Sequence, residues 1–229
     1  MRCIVVGGNA AGMSVAAKLM RTKENVALVV YEQSGIVSFG SCGLPYYIGD
    51  FFTDHTYMFS RSVESFRQSG IDVRLHHTVT AIDVSKRTIA ITDDAGHEIE
   101  DSYDVLIIAT GASAIKPQIE GSGKQHIYTL RNLGDGQAIK ACLSGTGEHA
   151  VVVGAGFIGL EIAEALHAQG KKVRLIELED RALKAAVGPE VSQRILKELE
   201  DKGVEVSLSE RVVAFGGADA VSEVVTDKG

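Results

Sequence analysis

The stretch "AVVVGAGFIGLEIAEALHAQG", Ala150–Gly170, decides the fold. A short β-branched run stops at a glycine turn, and an alanine- and leucine-rich stretch of helical character follows. A second apolar run, "KVRLIE", then ends on Glu177. Each residue type in this order has a physical reason. The first glycine, Gly154, lets the chain turn sharply off the strand. Gly156 lets backbone approach a pyrophosphate, and Gly159 lets the helix pack close to the sheet. The pyrophosphate then rests on the helix N-terminus, where free N–H groups and the helix dipole favour negative charge. Glu177, eighteen residues beyond Gly159, stands where a carboxylate accepts hydrogen bonds from ribose hydroxyls.

The same pattern occurs earlier. "CIVVGGNAAGMSVAAKLM" from Cys3 is followed by "VALVVYE", which ends on Glu32. Its turn carries Gly7, then Asn9 in the middle glycine position, then Gly12, with Glu32 twenty residues later. Two strand–turn–helix–strand units so far apart are too distant for a solenoid repeat. The sequence therefore predicts an α/β protein with two Rossmann-like nucleotide-binding domains. Residues 1–115 form the first and 116–229 the second. The boundary falls in the polar, Gly- and Pro-containing "SAIKPQIEGSGK".

Between the two units, "SVESFRQSG" predicts a short helix stopped by Gly70, and the segment from Ile71 to Ile91 alternates as strands do. "DDAG" forms a turn between two of them, "YDVLIIATGA" is expected as a buried parallel strand, and "NLGDGQAIKACLSG" as a helix. His76 and His77 fall on the strand pattern, with no metal-spaced partner, and are expected as exposed strand histidines. The chain is acidic, with a net charge of −7, which argues against a nucleic-acid surface. It has no apolar run long enough to span a membrane and no signal-peptide pattern. Three cysteines, Cys3, Cys42 and Cys142, are too few for a disulfide framework or a zinc site, and the expected compartment is a reducing cytoplasm. Cys3 and Cys142 are expected to be small buried apolar residues. A carboxylate at Glu177, with no arginine at 178 to 180, favours NADH over NADPH, although Arg181 lies nearby.

Four blocks in this order, "VVGGNAAGMSVAAKL", "YEQSGIVSFGSCGLPYYIGD", "YDVLIIATGA" and "VVVGAGFIGLEIAEAL", resemble the FAD-dependent pyridine nucleotide–disulfide oxidoreductases with a single active-site cysteine. That group includes coenzyme A-disulfide reductases, NADH oxidases and NADH peroxidases. The resemblance implies that Gly7, Asn9, Gly12 and Glu32 hold FAD, with Thr110 and Gly111 passing close to it. It implies that Gly154, Gly156, Gly159 and Glu177 hold the nicotinamide cofactor, and that Cys42 is the redox centre. It places Ser14, Lys18, Arg21, Ser38 and Ser41 along a coenzyme A channel; some reductases have asparagine at the position of Ser41. Lys18 and Arg21 are three apart on a helix, share a face and suit phosphates, or else form a solvated face.

Dithiol relatives use C-x-x-x-x-C, and counting from Cys42 reaches Tyr47 instead of a second cysteine. Cys42 must then pair with an external sulfur or be oxidised alone, as a mixed disulfide with coenzyme A or a sulfenic acid. "SCGLPYY" is expected to begin a helix, which would bring positive N–H groups near the sulfur. Peroxidases and many oxidases of this kind carry a histidine where this chain has Ala10, which weighs against them. The leading reading is a coenzyme A-disulfide reductase. An NADH oxidase, a persulfide reductase and an inactive nucleotide-binding module stand beside it. The resemblance also implies a longer parent with a C-terminal dimerisation domain, so the second nucleotide domain is expected to be incomplete at its C-terminal end and the chain to be an N-terminal fragment of a homodimeric protein.

Overall fold

The computed structural model describes residues 1–22, 25–145 and 147–229. In chain order the elements begin β1 (Arg2–Val6), α1 (Ala10–Thr22), β2 (Ala27–Tyr31), α2 (Leu44–Ile48), α3 (Val63–Gln68) and β3 (Ile71–Arg74). They continue β4 (His77–Asp83), β5 (Thr88–Asp93), β6 (Glu98–Ser102), β7 (Val105–Ile108), α4 (Leu133–Leu143), β8 (His149–Val153) and α5 (Phe157–Ala168). The last are β9 (Lys172–Ile176), α6 (Pro189–Asp201), β10 (Glu205–Ser207), β11 (Val212–Gly216) and β12 (Glu223–Thr226). The chain divides into two compact units: Met1–Gly40 with His55–Ala112, and Ser41–Asp54 with Ser113–Gly229. It therefore crosses between units three times.

The first unit is built on a parallel sheet in the order β3-β2-β1-β7, with Cys3 opposite Leu28 and Val105 and Leu28 opposite Ile71. The two central strands, β1 and β2, read as near-continuous apolar runs because both of their faces are covered. Cys3, Val5, Leu28, Val30, Ile71 and Val73 point to one face and pack with Met13 and Ala16 of α1 and Phe66 of α3. Ile4, Val6, Val29 and Tyr31 point to the other and meet Ile89 and Ile91 of the antiparallel sheet β4-β5-β6. Ser62 caps α3 by accepting from the Ser65 amide at 3.2 Å, and Gly70 leaves the helix at a φ of 86°. Asp101 of β6 ties the strands together. It accepts from the Tyr31 hydroxyl at 2.7 Å and from Arg2 Nε at 3.0 Å.

Three sequence expectations change here. β7 is parallel, but it forms the sheet edge, with Val105 and Ile108 at 41% and 61% exposure. His76 is not on a strand; it sits between β3 and β4 at a φ of 57° and pairs with Asp94 at 2.7 Å. His77 does begin β4, but it is half-buried against the Tyr31 ring at 6.0 Å.

The second unit has the parallel sheet β10-β9-β8, with Val152 opposite Leu175 and Val206 opposite Leu175 from the other side. Val152, Val173 and Leu175 pack with Ala163 and Leu166 of α5 and Leu199 of α6. A capping box, Asn132 with Asp135, starts α4. The segment read as a polar linker is held in place: Phe215 donates to the Glu120 carbonyl at 2.8 Å and Gln125 to the Asp219 carbonyl at 3.0 Å. A Cβ on Gly121 would stand 2.1 Å from the Phe215 carbonyl oxygen, which explains a glycine there. Cys3 is buried as expected, at 1% exposure. Cys142 is only half-buried and touches polar groups, so the expectation of a buried apolar residue does not hold for it.

Candidate functional site

The two glycine turns are built alike. Gly7 and Gly154 adopt φ values of 103° and 100°, open to glycine and costly for other residues. A Cβ on Gly12 would lie 1.8 Å from the Gly7 carbonyl oxygen, and one on Gly159 would lie 1.9 Å from that of Gly154. The last glycine of each motif thus lets its helix start directly over the turn. The Gly7 amide donates to the Tyr31 carbonyl and that of Gly154 to the Ile176 carbonyl, each at 2.8 Å.

The acidic residues complete the likeness. Glu32 accepts from the Gly8 amide at 2.6 Å and from the Ser34 amide at 2.8 Å. Glu177 accepts from the Ala155 amide at 2.5 Å and from the Glu179 amide at 2.8 Å. Each carboxylate therefore holds its own glycine turn and the loop after the second strand. Sequence reasoning assigned these carboxylates to a ribose and missed this structural duty. Two further pairs repeat: Ser38 donates to the Gly8 carbonyl at 2.8 Å and Leu183 to the Ala155 carbonyl at 3.0 Å. Ser38 and Leu183 both sit in the left-handed region, at φ values of 54° and 50°.

Both helix starts suit a pyrophosphate. The first turns of α1 and α5 carry no acidic residue, and Gly156 caps α5 without a side chain over its amides. Asn9, Ala10 and Ala11 are exposed, as are Gly156, Phe157 and Ile158. The Asn9 side chain is turned aside, its Oδ1 accepting from the Phe39 amide at 3.3 Å, so it does not cap α1. Asparagine in the middle glycine position is thereby reconciled with an open helix start. Helices of this length with bare N-terminal amides bind anions well.

The "ATG" turn abuts the first site: a Cβ on Gly7 would come within 2.3 Å of the Ala109 carbonyl oxygen and 3.4 Å of the Thr110 amide nitrogen. Gly111 follows at a φ of 70°. Ser14, Lys18 and Arg21 are all exposed on α1, at a spacing that gives them one face. In the second unit, Arg181 lies 3.7 Å from Asp180, and Lys184 bonds to Glu179 at 2.6 Å. The basic groups near Glu177 thus already face carboxylates.

The cysteine loop belongs to the second unit. Ser41, Cys42 and Gly43 form a single 3₁₀ turn, and α2 follows directly with Pro45 in its first turn. The expected helix start is present, and Cys42 lies just before it, exposed. Leu44, Tyr47 and Ile48 are buried, at 1%, 8% and 0% exposure, so this short helix is anchored by its side chains. Tyr47, in the position of a second cysteine, is a packing residue. Gly136 of α4 leaves room for Leu44, whose Cδ2 would stand 2.6 Å from a Cβ there. Lys140 was not singled out from the sequence. Its Nζ bonds to the Tyr47 carbonyl at 2.8 Å and to the Asp50 carboxylate, and lies 4.2 Å from the Tyr47 ring centre. Gln169, the C-cap of α5, donates through its side-chain amide to the Gly49 carbonyl at 2.9 Å. Nothing local in the sequence announces these two, because their partners, two backbone carbonyls and the Asp50 carboxylate, are distant along the chain.

With these turns described, the likeness to known proteins is specific. Residues 1–229 match the family described as pyridine nucleotide-disulphide oxidoreductase. The chain belongs to this family. Among curated pyridine nucleotide-disulphide oxidoreductase relatives, an NADH oxidase of Methanocaldococcus jannaschii is 31% identical over 229 residues, 99% of this chain and 51% of the relative. A coenzyme A disulfide reductase of Staphylococcus aureus is 32% identical over 219 residues, 94% of this chain and 49% of the relative. Among solved structures, an NAD-dependent persulfide reductase from A. fulgidus superposes with a TM-score of 0.94 at 36% identity, covering all of this chain and 43% of that one. The chain thus spans about half the length of the curated relatives it matches. No helix among the described residues is long and apolar enough to cross a membrane.

Proposed function

We propose that this chain is the nucleotide-binding part of a flavoprotein that passes electrons from NADH through FAD to a disulfide formed on Cys42, with coenzyme A disulfide as substrate. In this reading residues 1–115 bind FAD through Gly7, Asn9, Gly12, Glu32, Thr110 and Gly111. Residues 116–229 bind NADH through Gly154, Gly156, Gly159 and Glu177. The observation that carries it is the exposed Cys42 with a buried tyrosine, Tyr47, where a second thiol would close an internal disulfide. In this reading the sulfur finds its partner in a small molecule.

The residues divide the work as follows. The open starts of α1 and α5 receive pyrophosphates, while Glu32 and Glu177 keep each turn rigid and present carboxylate to a ribose. The Glu177 carboxylate would repel a 2′-phosphate, which favours NADH over NADPH. Ser14, Lys18 and Arg21, with Ser38 and Ser41, are the coenzyme A contacts in this reading, two cations serving its phosphates. The Cys42 thiolate attacks one sulfur of the disulfide. The S–S bond breaks, a Cys42–coenzyme A disulfide forms, and one coenzyme A leaves as thiolate. When bound, the flavin supplies the two-electron relay between nicotinamide and sulfur. The setting is a reducing cytoplasm, and the whole protein is a homodimer.

A second reading, an NADH oxidase working through a Cys42 sulfenic acid, is favoured by the relative of that name. Intact mass of the protein purified without reductant separates them. An increment of one coenzyme A on Cys42 supports the reductase; one added oxygen selects the oxidase and overturns it. In the full-length protein, Cys42→Ser is expected to abolish disulfide turnover while the protein stays yellow.

A further inference from the structure

Outside the glycine turns and the cysteine loop, the second unit holds another thiol with polar partners. Cys142 lies in the last turn of α4, half-buried. His126 Nδ1 stands 3.2 Å from its Sγ. The Tyr128 hydroxyl hydrogen-bonds the same sulfur, and that bond, followed by burial, pushes the tyrosine pKa up to about 12, so the hydroxyl keeps its proton. His126 and Tyr128 are both exposed, which leaves the sulfur open to small molecules from their side. The histidine is held in place by its neighbours. Gln125 donates to the Asp219 carbonyl at 3.0 Å and accepts from the Val221 amide at 3.1 Å, and His126 itself sits at a φ of 66°. Cys3 supplies the contrast: it is 1% exposed and burial pushes its thiol pKa up.

We propose that Cys142, His126 and Tyr128 form a second thiol–disulfide exchange site, at which Cys142 takes small low-molecular-weight disulfides. A thiol beside an imidazole has the arrangement that activates nucleophilic cysteines. The Sγ proton passes to His126 Nδ1, while the Tyr128 hydroxyl donates to the sulfur. The thiolate attacks one sulfur of the disulfide, whose S–S bond breaks as the new one to Cys142 forms. The departing thiolate takes the proton back from Nδ1. One disulfide is lost and one gained, so no outside oxidant or reductant is needed.

The test uses the full chain carrying Cys42→Ser, treated with 2-hydroxyethyl disulfide, and follows the adduct on Cys142 by peptide mass spectrometry. Cys142 is expected to react faster than the same cysteine in the chain unfolded in urea. His126→Asn removes the base while suiting the left-handed backbone, since asparagine tolerates that region. It is expected to slow the adduct by roughly tenfold or more. Tyr128→Phe, at an exposed position, is expected to slow it less and provides the same test should His126→Asn unfold the chain. Equal rates in both variants and the parent, or a folded Cys142 no faster than the unfolded one, would overturn the proposal.

Discussion

The Glu32 carboxylate is 6% exposed and accepts from the Gly8 and Ser34 amides, whereas Glu177, making the same pair of bonds, is half-buried. The difference has a measurable consequence. Glu32→Ala leaves the buried Gly8 amide without its acceptor, which costs about 1–3 kcal/mol. Ala155 is itself buried, but Glu177 is half-exposed, so water can take the place of its carboxylate in Glu177→Ala, which costs less. Urea midpoints of the two variants check the order, and an equal or reversed order refutes this account of the turns. Asp101 offers a second test. Burial pushes its pKa up, but the hydrogen bonds from Arg2 and Tyr31 outweigh that and bring it below the ordinary carboxylate value. A carboxyl with a lowered folded-state pKa adds stability above its unfolded value, and that stability is lost as pH falls through the folded value. Asp101→Asn should therefore melt lower than the parent at neutral pH, the gap closing below roughly pH 4. A gap that persists unchanged into acid shows that the loss is packing and not charge. The two glutamates were legible in the sequence from their spacing alone. The polar shell of Cys142 was not, because His126 reaches it through a left-handed turn that no local pattern announces.

Among the elements, α2 shows how a five-residue helix is held. Too short to be stable alone, it relies on tertiary anchors. Leu44 and Ile48 fill the interior, and Lys140 of α4 binds its C-terminal end through the Tyr47 carbonyl and Asp50. A cation at a helix C-terminus also opposes the negative end of the dipole. Lys140→Met keeps the apolar stem and removes those bonds. We expect faster amide hydrogen exchange confined to residues 41–50 and faster alkylation of Cys42 by iodoacetamide, with Lys140→Arg restoring much of the protection. Exchange unchanged in Lys140→Met would mean that side-chain burial alone fixes the loop. Sequence periodicity located every helix named beforehand, since caps such as Asn132 and stops such as Gly70 act locally. It missed that β7 is an edge strand, because an apolar run looks the same at an edge as in the middle of a sheet. It also placed no unit crossing at Ser41 and Asp54, since long-range packing decides to which unit α2 belongs.

At the scale of the whole molecule, the two units repeat the same turn, carboxylate and loop bonds but differ at one sheet edge. In the first, β1 has β2 on one side and β7 on the other. In the second, β8 pairs with β9, and among the described residues no strand lies on its other side. Gly7 abuts the Ala109 carbonyl, while nothing stands within 4 Å of a Cβ built on Gly154. The consequence is an apolar strip: Val151 and Val153 are 40% and 55% exposed, and Phe157 and Ile158 beyond them are 63% and 58%. Unpaired backbone beside exposed β-branched side chains is a template for pairing with another chain, and a lysine on such an edge blocks it. This 229-residue chain should therefore self-associate as its concentration rises, which sedimentation velocity reads directly. Val151→Lys combined with Val153→Lys leaves Val152, the residue that faces the core, untouched and should shift the chain towards monomer. If both proteins sediment alike across the concentration range, the open edge of β8 is not what draws copies together, and the apolar helix start at Phe157 and Ile158 becomes the surface to alter next.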